Sequence, residues 1–97
     1  MSYTVYVLEC SDKSYYVGVT NDIEHRLWEH HSGYNSKSYT FSRRPVKLVF
    51  QEHFRDINHA ISFEKQIKGW RRAKKEALIK GNWDLLPELS KRYTKNE

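Results

Sequence analysis

The spacing of apolar positions changes character along this chain. Residues 3–10, YTVYVLEC, and 15–20, YYVGVT, are short runs rich in β-branched and aromatic residues, separated by the polar stretch SDKS. That arrangement predicts an antiparallel hairpin. Apolar positions then recur every three or four residues in TNDIEHRLWEHHSG, where Asn21 and Glu24 make a capping box and Gly33 a stop, so a first helix is expected. Residues 34–45, YNSKSYTFSRRP, hold neither period and read as a loop closed by Pro45. The alternation in VKLVFQEHF predicts a third strand. Asp56 reads as the N-cap of INHAISFEKQIKGW, with Gly69 ending or kinking that helix, and RRAKKEALIK is a further helix before Gly81. The tail WDLLPELSKRY is expected to add one short helix.

The order β-β-α-β-α-α makes this an α+β chain, a small three-stranded antiparallel sheet flanked by helices. At 97 residues it is long enough for one domain, spanning 1–97, with a core over about residues 3–80 and a helical tail over 82–97. Gly18 stands out in its strand because it packs nothing there, and a strand glycine marks a bulge or a close backbone approach.

Charge sharpens the picture. Lys65 to Gly81 holds seven basic residues and one acid, more than the whole chain's net charge of +5. Such a field suits a polyanion such as nucleic acid, and it equally suits a solvated helix face. With Cys10 as the single cysteine, an internal disulfide is excluded and a cysteine-based zinc site is not expected. No apolar run approaches the roughly 18 residues of a membrane span. Met1 leads into a strand pattern where a signal peptide would place an apolar segment, so the expected compartment is the cytoplasm, with no membrane partner.

The informative residues are polar ones on apolar stripes. At about 100° per residue, Arg26 and His30 share the stripe of Ile23 and Leu27 and lie one turn apart. Each has an ordinary explanation, an aliphatic stem laid on apolar surface and a satisfied histidine. In the later helix Glu64 falls inside the arc of Ala60, Phe63 and Ile67. A carboxylate taken out of water needs a cation, and two candidates stand open: an ion pair with Arg26, or a divalent metal held by one carboxylate and waters. Whether Tyr6 and Tyr16 share a sheet face depends on hairpin loop parity, odd bringing them together and even splitting them.

Taken in order, these residues resemble the GIY-YIG nuclease family, in particular its short stand-alone members. Thr4-Val5-Tyr6 corresponds to the first motif and Tyr16-Val17-Gly18 to the second. Arg26, His30 one turn later, and Glu64 in ISFEKQIKGW match the family's helical site residues, and the likeness runs from Tyr3 to about Ile79. Thr4 stands where the first motif has glycine, and valine replaces isoleucine in both motifs. The family often has an asparagine after the glutamate; Asn82, in a glycine turn, is not counted among the site residues.

The resemblance implies a divalent-metal-dependent endonuclease that hydrolyses phosphodiester bonds, in DNA before RNA, with a place in DNA repair or recombination. Glu64 would hold one Mg²⁺ or Mn²⁺, Tyr6 would orient or deprotonate the attacking water, and Arg26 would grip the phosphate. For Tyr6 to act as a base, nearby positive charge must favour the phenolate. His30 and Tyr16 would position water or phosphate, and Gly18 would leave room for a phosphate or the first helix. Lys37, Arg43 and Arg44, with Tyr39 and Phe41 between them, and Lys65, Lys68, Arg71 and Arg72 are expected nucleic-acid contacts. A protein partner is a further expectation, since the chain has no room for a separate targeting domain. The competing reading is a nucleic-acid-binding module with little cleavage of its own. A third is a protein-interaction domain using Trp28, Trp83 or the C-terminal helix.

Overall fold

The computed structural model describes residues 2–82; the expected helix over the tail, and Trp83 with it, lie outside the described residues. Its elements are β1 (Tyr3–Glu9), β2 (Tyr15–Thr20), α1 (Ile23–Ser32), β3 (Lys47–Phe54), α2 (Ile57–Lys68) and α3 (Arg72–Lys80), with a single 3-10 turn over Phe41–Arg43. The strands form an antiparallel sheet in the order β2-β1-β3. The α+β architecture expected from the order of elements is the one observed.

Both faces of the sheet are covered, which is why the central strand reads as a nearly unbroken apolar run. Val5 and Val7 point to one face and join Val17, the α2 residues Ala60, Phe63 and Ile67, and Ala77 and Leu78 of α3. Tyr6 and Leu8 point to the other, where they meet Cys10, Val46, Leu48 and the α1 residues Ile23 and Leu27. At about 25 cal/mol per Å², burial of these side chains is the main favourable term in folding.

Two irregularities let each strand serve both cores. Cys10 leaves β1, so the hairpin loop is Cys10 to Ser14, an odd number of residues. The Cys10 N–H donates to the Ser14 carbonyl at 2.9 Å, Lys13 takes a positive φ of 70°, and the Asp12 carboxylate accepts from the Ser14 N–H and hydroxyl at 3.0 and 2.6 Å. Tyr6 thereby pairs with Gly18 and Leu8 with Tyr16, placing both tyrosines on one face. On the other side of β1 the ladder steps from Val7↔Phe50 to Leu8↔Leu48, so Val49 is an extra, bulged residue. Without that bulge, not anticipated in the alternation of VKLVFQEHF, Leu48 and Phe50 would face the same way; with it, each reaches a different core.

The helix ends follow local chemistry, with one correction. α1 is capped by Asp22, whose carboxylate accepts from the His25 N–H at 3.1 Å, and not by the expected Asn21–Glu24 box. The Asp22 N–H in turn donates to the Thr20 hydroxyl at 3.1 Å, fixing the turn one residue later. Gly33 ends α1 with φ 71° as expected. Asp56 caps α2 through the Asn58 N–H at 2.8 Å. After α3, Gly81 turns left-handed and the Asn82 N–H returns to the Ala77 carbonyl at 2.9 Å, so the backbone of Asn82 closes a helix end.

Candidate nuclease site

The site begins with the pairing of Tyr6 and Gly18 across β1 and β2. The Tyr6 ring lies over Gly18, so that a Cβ there would meet the Tyr6 hydroxyl at 2.5 Å and Cζ at 2.6 Å. The expected space for a phosphate or for helix approach is therefore already filled, and filled by the tyrosine itself. Held flat against the ladder, the Tyr6 ring sits 6.3 Å from that of Tyr16 and 5.9 Å from His30, while Tyr16 and His30 are 5.2 Å apart.

Around the Tyr6 oxygen the polar groups form one chain. Arg26 Nε donates to it at 3.4 Å, and His30 Nε2 lies 3.0 Å away. The other His30 nitrogen, Nδ1, lies 2.8 Å from the hydroxyl of Thr40, which is fully buried and in turn 3.3 Å from the Ser38 hydroxyl. Tyr6 donating to Nε2, with the His30 proton on Nδ1 donated to Thr40, satisfies every group in this chain. That is a neutral imidazole, and burial, aided by the positive charge of Arg26, lowers the His30 pKa to match.

Burial decides the chemistry of Tyr6. It has no exposed surface, and desolvation pushes its pKa up to about 12 despite the opposing hydrogen bond from Arg26. The expectation that neighbouring positive charge would favour a phenolate is reversed: the guanidinium is present, but the dry surroundings win. A wholly buried phenol does not touch solvent either. Tyr16 is only partly buried and lines a hollow of about 110 Å³ with Arg26, Glu29, His30 and Tyr34. Arg26 keeps 43% of its side chain exposed and is steadied by Glu29 at 3.2 Å. The accessible pair is Arg26 and Tyr16; Tyr6 and His30 hold them in place.

Glu64 comes to the sheet from the other side, on α2. Its side chain is 13% exposed, as the helical arc implied, but its partner is Lys68 one turn on, at 3.0 Å. The ion pair with Arg26 is not formed, because α1 and α2 cover opposite faces. Residues of both faces come together around the free edge of β2. There Tyr15, Val17, Lys68 and Lys75 line a cleft of about 210 Å³ together with Tyr16 and Tyr39, so the partner of Glu64 opens onto the same edge as Tyr16. Among the described residues no group of three or more His, Cys, Asp or Glu gathers as a metal cage. One carboxylate completed by waters suits a weakly held magnesium-like cation, and the Lys68 ammonium now neutralises that carboxylate.

The structure divides the expected nucleic-acid contacts. Lys37, Lys65 and Arg71 are exposed, and Lys68 lines the β2-edge cleft. Arg43 is engaged in the fold: it meets Asp12 at 3.1 Å, donates to the Tyr39 carbonyl at 2.8 Å and lies 3.9 Å above the Tyr39 ring. Arg44 donates to the Phe41 carbonyl at 2.9 Å and covers the Phe41 ring. Arg72 pairs with Glu76 at 3.1 Å, donates to the Lys13 carbonyl and covers Tyr15. Tyr39, stacked on Tyr16 at 6.0 Å, closes the loop over the site. Thr40, Ser38 and Glu29 join the site without a sequence signal, since their loop and helix positions carry no period that marks them; Lys75 was visible only as charge.

A three-stranded antiparallel sheet with Tyr6, Tyr16, Arg26 and His30 gathered on one face defines a small nuclease-type domain, and residues 2–77 match the family model described as the GIY-YIG catalytic domain. The chain belongs to the GIY-YIG family. It is 53% identical over 78 residues to the UPF0213 protein of Syntrophus aciditrophicus, covering 80% of this chain and 90% of that one. To the UPF0213 protein of Haloquadratum walsbyi it is 44% identical over 81 residues, covering 84% and 90%. Among solved structures, the solution structure of a UPF0213 protein from Bacillus halodurans is 39% identical with a TM-score of 0.55, covering 82% of this chain and 84% of that one. A solution structure from E. faecalis is 38% identical with a TM-score of 0.61, covering 84% and 85%. No helix among the described residues is long and apolar enough to cross a membrane.

Proposed function

We propose that this member of a nuclease family is a divalent-metal-dependent endonuclease acting on DNA, with a role in processing branched or damaged strands. The observation that carries the reading is the single hydrogen-bonded chain from Arg26 through Tyr6 and His30 to Thr40, which presents Arg26 and Tyr16 at a hollow beside the β2 edge. A phosphodiester at that hollow meets the Arg26 guanidinium, which neutralises charge developing on the phosphate oxygens. Tyr16 orients the attacking water through its phenol oxygen. Tyr6, neutral at working pH, fixes both by packing on Gly18 and bonding Arg26, and His30 accepts a hydrogen bond from the Tyr6 hydroxyl and so holds it in direction. A bound Mg²⁺ or Mn²⁺ on Glu64 would supply Lewis-acid stabilisation of the leaving oxygen. Lys68, freed from Glu64 when a cation binds there, and Lys75 would then meet the strand in the β2-edge cleft.

The placement of Glu64 on the opposite face, neutralised by Lys68, favours a second reading: a nucleic-acid-binding module with little cleavage. Cleavage assays separate the two. Wild type and Glu64→Ala are incubated with branched, nicked and single-stranded DNA and with RNA, in Mg²⁺ or Mn²⁺ and then with chelator. Cutting that vanishes in the variant and on chelation supports the enzyme. Tight binding with no product under any condition supports the module.

A further inference from the structure

We infer that the outer side of α1 carries a stacking platform for an unpaired nucleobase, built from His25, Trp28 and Tyr34. Trp28 is 54% and Tyr34 69% exposed, the largest exposures of big apolar side chains among the described residues. The rings are not scattered: His25 stacks on Trp28 at 5.8 Å with planes 20° apart, and Trp28 meets Tyr34 at 5.9 Å. Single exposed aromatics are ordinary on protein surfaces, but three in contact leave a continuous apolar face in water. Tyr39, the other large exposed ring, already has Tyr16 and Arg43 against it.

Two relationships choose the occupant. Tyr34 lines the hollow of Tyr16, Arg26 and His30, and His25 lines the wider hollow on the other side of Arg26, so the platform is continuous with the proposed phosphate site. Trp28 itself lies about 160° round α1 from Arg26, so Tyr34 and His25, in ring contact with it at 5.9 and 5.8 Å, join it to the hollows on Arg26 where a strand's phosphate would rest. A base within a duplex has both faces covered by its neighbours, so only a flap, overhang or loop offers a face for an aromatic ring. A stable protein partner needs about 800 Å² per side, more than three rings supply. Glu29, the acid between His25 and Arg26, is neutralised by Arg26. The assignment rests on the proposed function only for the strand's position at Arg26.

The test needs no cleavage. Binding of a blunt duplex and of the same duplex with a single-stranded overhang is measured in chelator, by anisotropy and tryptophan quenching, for wild type, Trp28→Ala and Trp28→Phe. The expected result is an overhang preference of about tenfold that is lost in the alanine variant and kept in the phenylalanine one. Equal affinity for the two duplexes in wild type, or equal weakening of both by Trp28→Ala, overturns the platform. So does a Trp28→Ala variant that binds both as wild type does but has lost self-association in sedimentation. A Trp28-dependent preference without cleavage in Mg²⁺ would leave the platform standing and sink the nuclease reading; cleavage with no such preference would do the reverse.

Discussion

Gly18 faces Tyr6 across the β1–β2 ladder, and the phenol ring of Tyr6 occupies the volume a side chain at position 18 would need. Replacing Gly18 by alanine must therefore displace Tyr6, the residue on which Arg26 and His30 are hung. Overpacking of this kind costs roughly 1–3 kcal/mol. The expected outcome for Gly18→Ala is an unfolding free energy lowered by that amount, read as a lower urea midpoint, together with a loss of cleavage. A variant with unchanged stability and activity would show that the ring has room to move.

Thr40 is a polar side chain with no exposed surface, and its hydroxyl lies 2.8 Å from His30 Nδ1. Thr40→Val keeps the shape and removes the partner, leaving a buried imidazole N–H unsatisfied at a cost of about 1–3 kcal/mol. Thr40→Ser restores it. If the hydroxyl also sets the His30 tautomer, the valine variant shifts the pH profile of cleavage, and serine returns it. A stability loss with an unmoved profile would reduce Thr40 to packing.

The Tyr6 proton gives a signature in alkali. The folded protein holds it up to about 12, against about 10 for an unfolded tyrosine. Because the folded state binds the proton more tightly, the stabilisation is complete below about pH 10 and is lost as pH rises through the folded value. In Tyr6→Phe the fall in stability over that window should be shallower, and the tyrosinate absorbance removed by the substitution should be the late-titrating one. For His30 the sign is opposite: its lowered pKa makes stability full above about 6.5 and lost as pH falls below it.

Arg43 and Lys65 make a paired test of which cations meet nucleic acid. Arg43→Ala breaks the contacts to Asp12 and Tyr39 and should lower the melting temperature while leaving the salt dependence of binding near wild type. Lys65→Ala, on the exposed side of α2, should leave stability unchanged and reduce the slope of log affinity against log salt by about 1. The reverse pattern would return Arg43 to the binding surface.

How much of this was legible in the sequence follows from the range over which each signal acts. The element order, the caps at Asp56, Gly33 and Gly81, and the inward stripes of α1 and α2 are written in local spacing and side-chain chemistry, so the sequence by itself determined the architecture, the burial of His30 and the low exposure of Glu64. Loop parity was not settled there, because one residue more or less in the turn flips a strand, and only the odd loop after Glu9 put Tyr6 and Tyr16 on one face. The partners were decided by tertiary structure too: Arg26 bonds Tyr6, Glu64 bonds Lys68, and Thr40 bonds His30 from a loop with no period. Most of all, the state of Tyr6 was decided there. A nearby cation favours the phenolate and burial opposes it, and which one wins depends on how completely the packed chain excludes water from that oxygen.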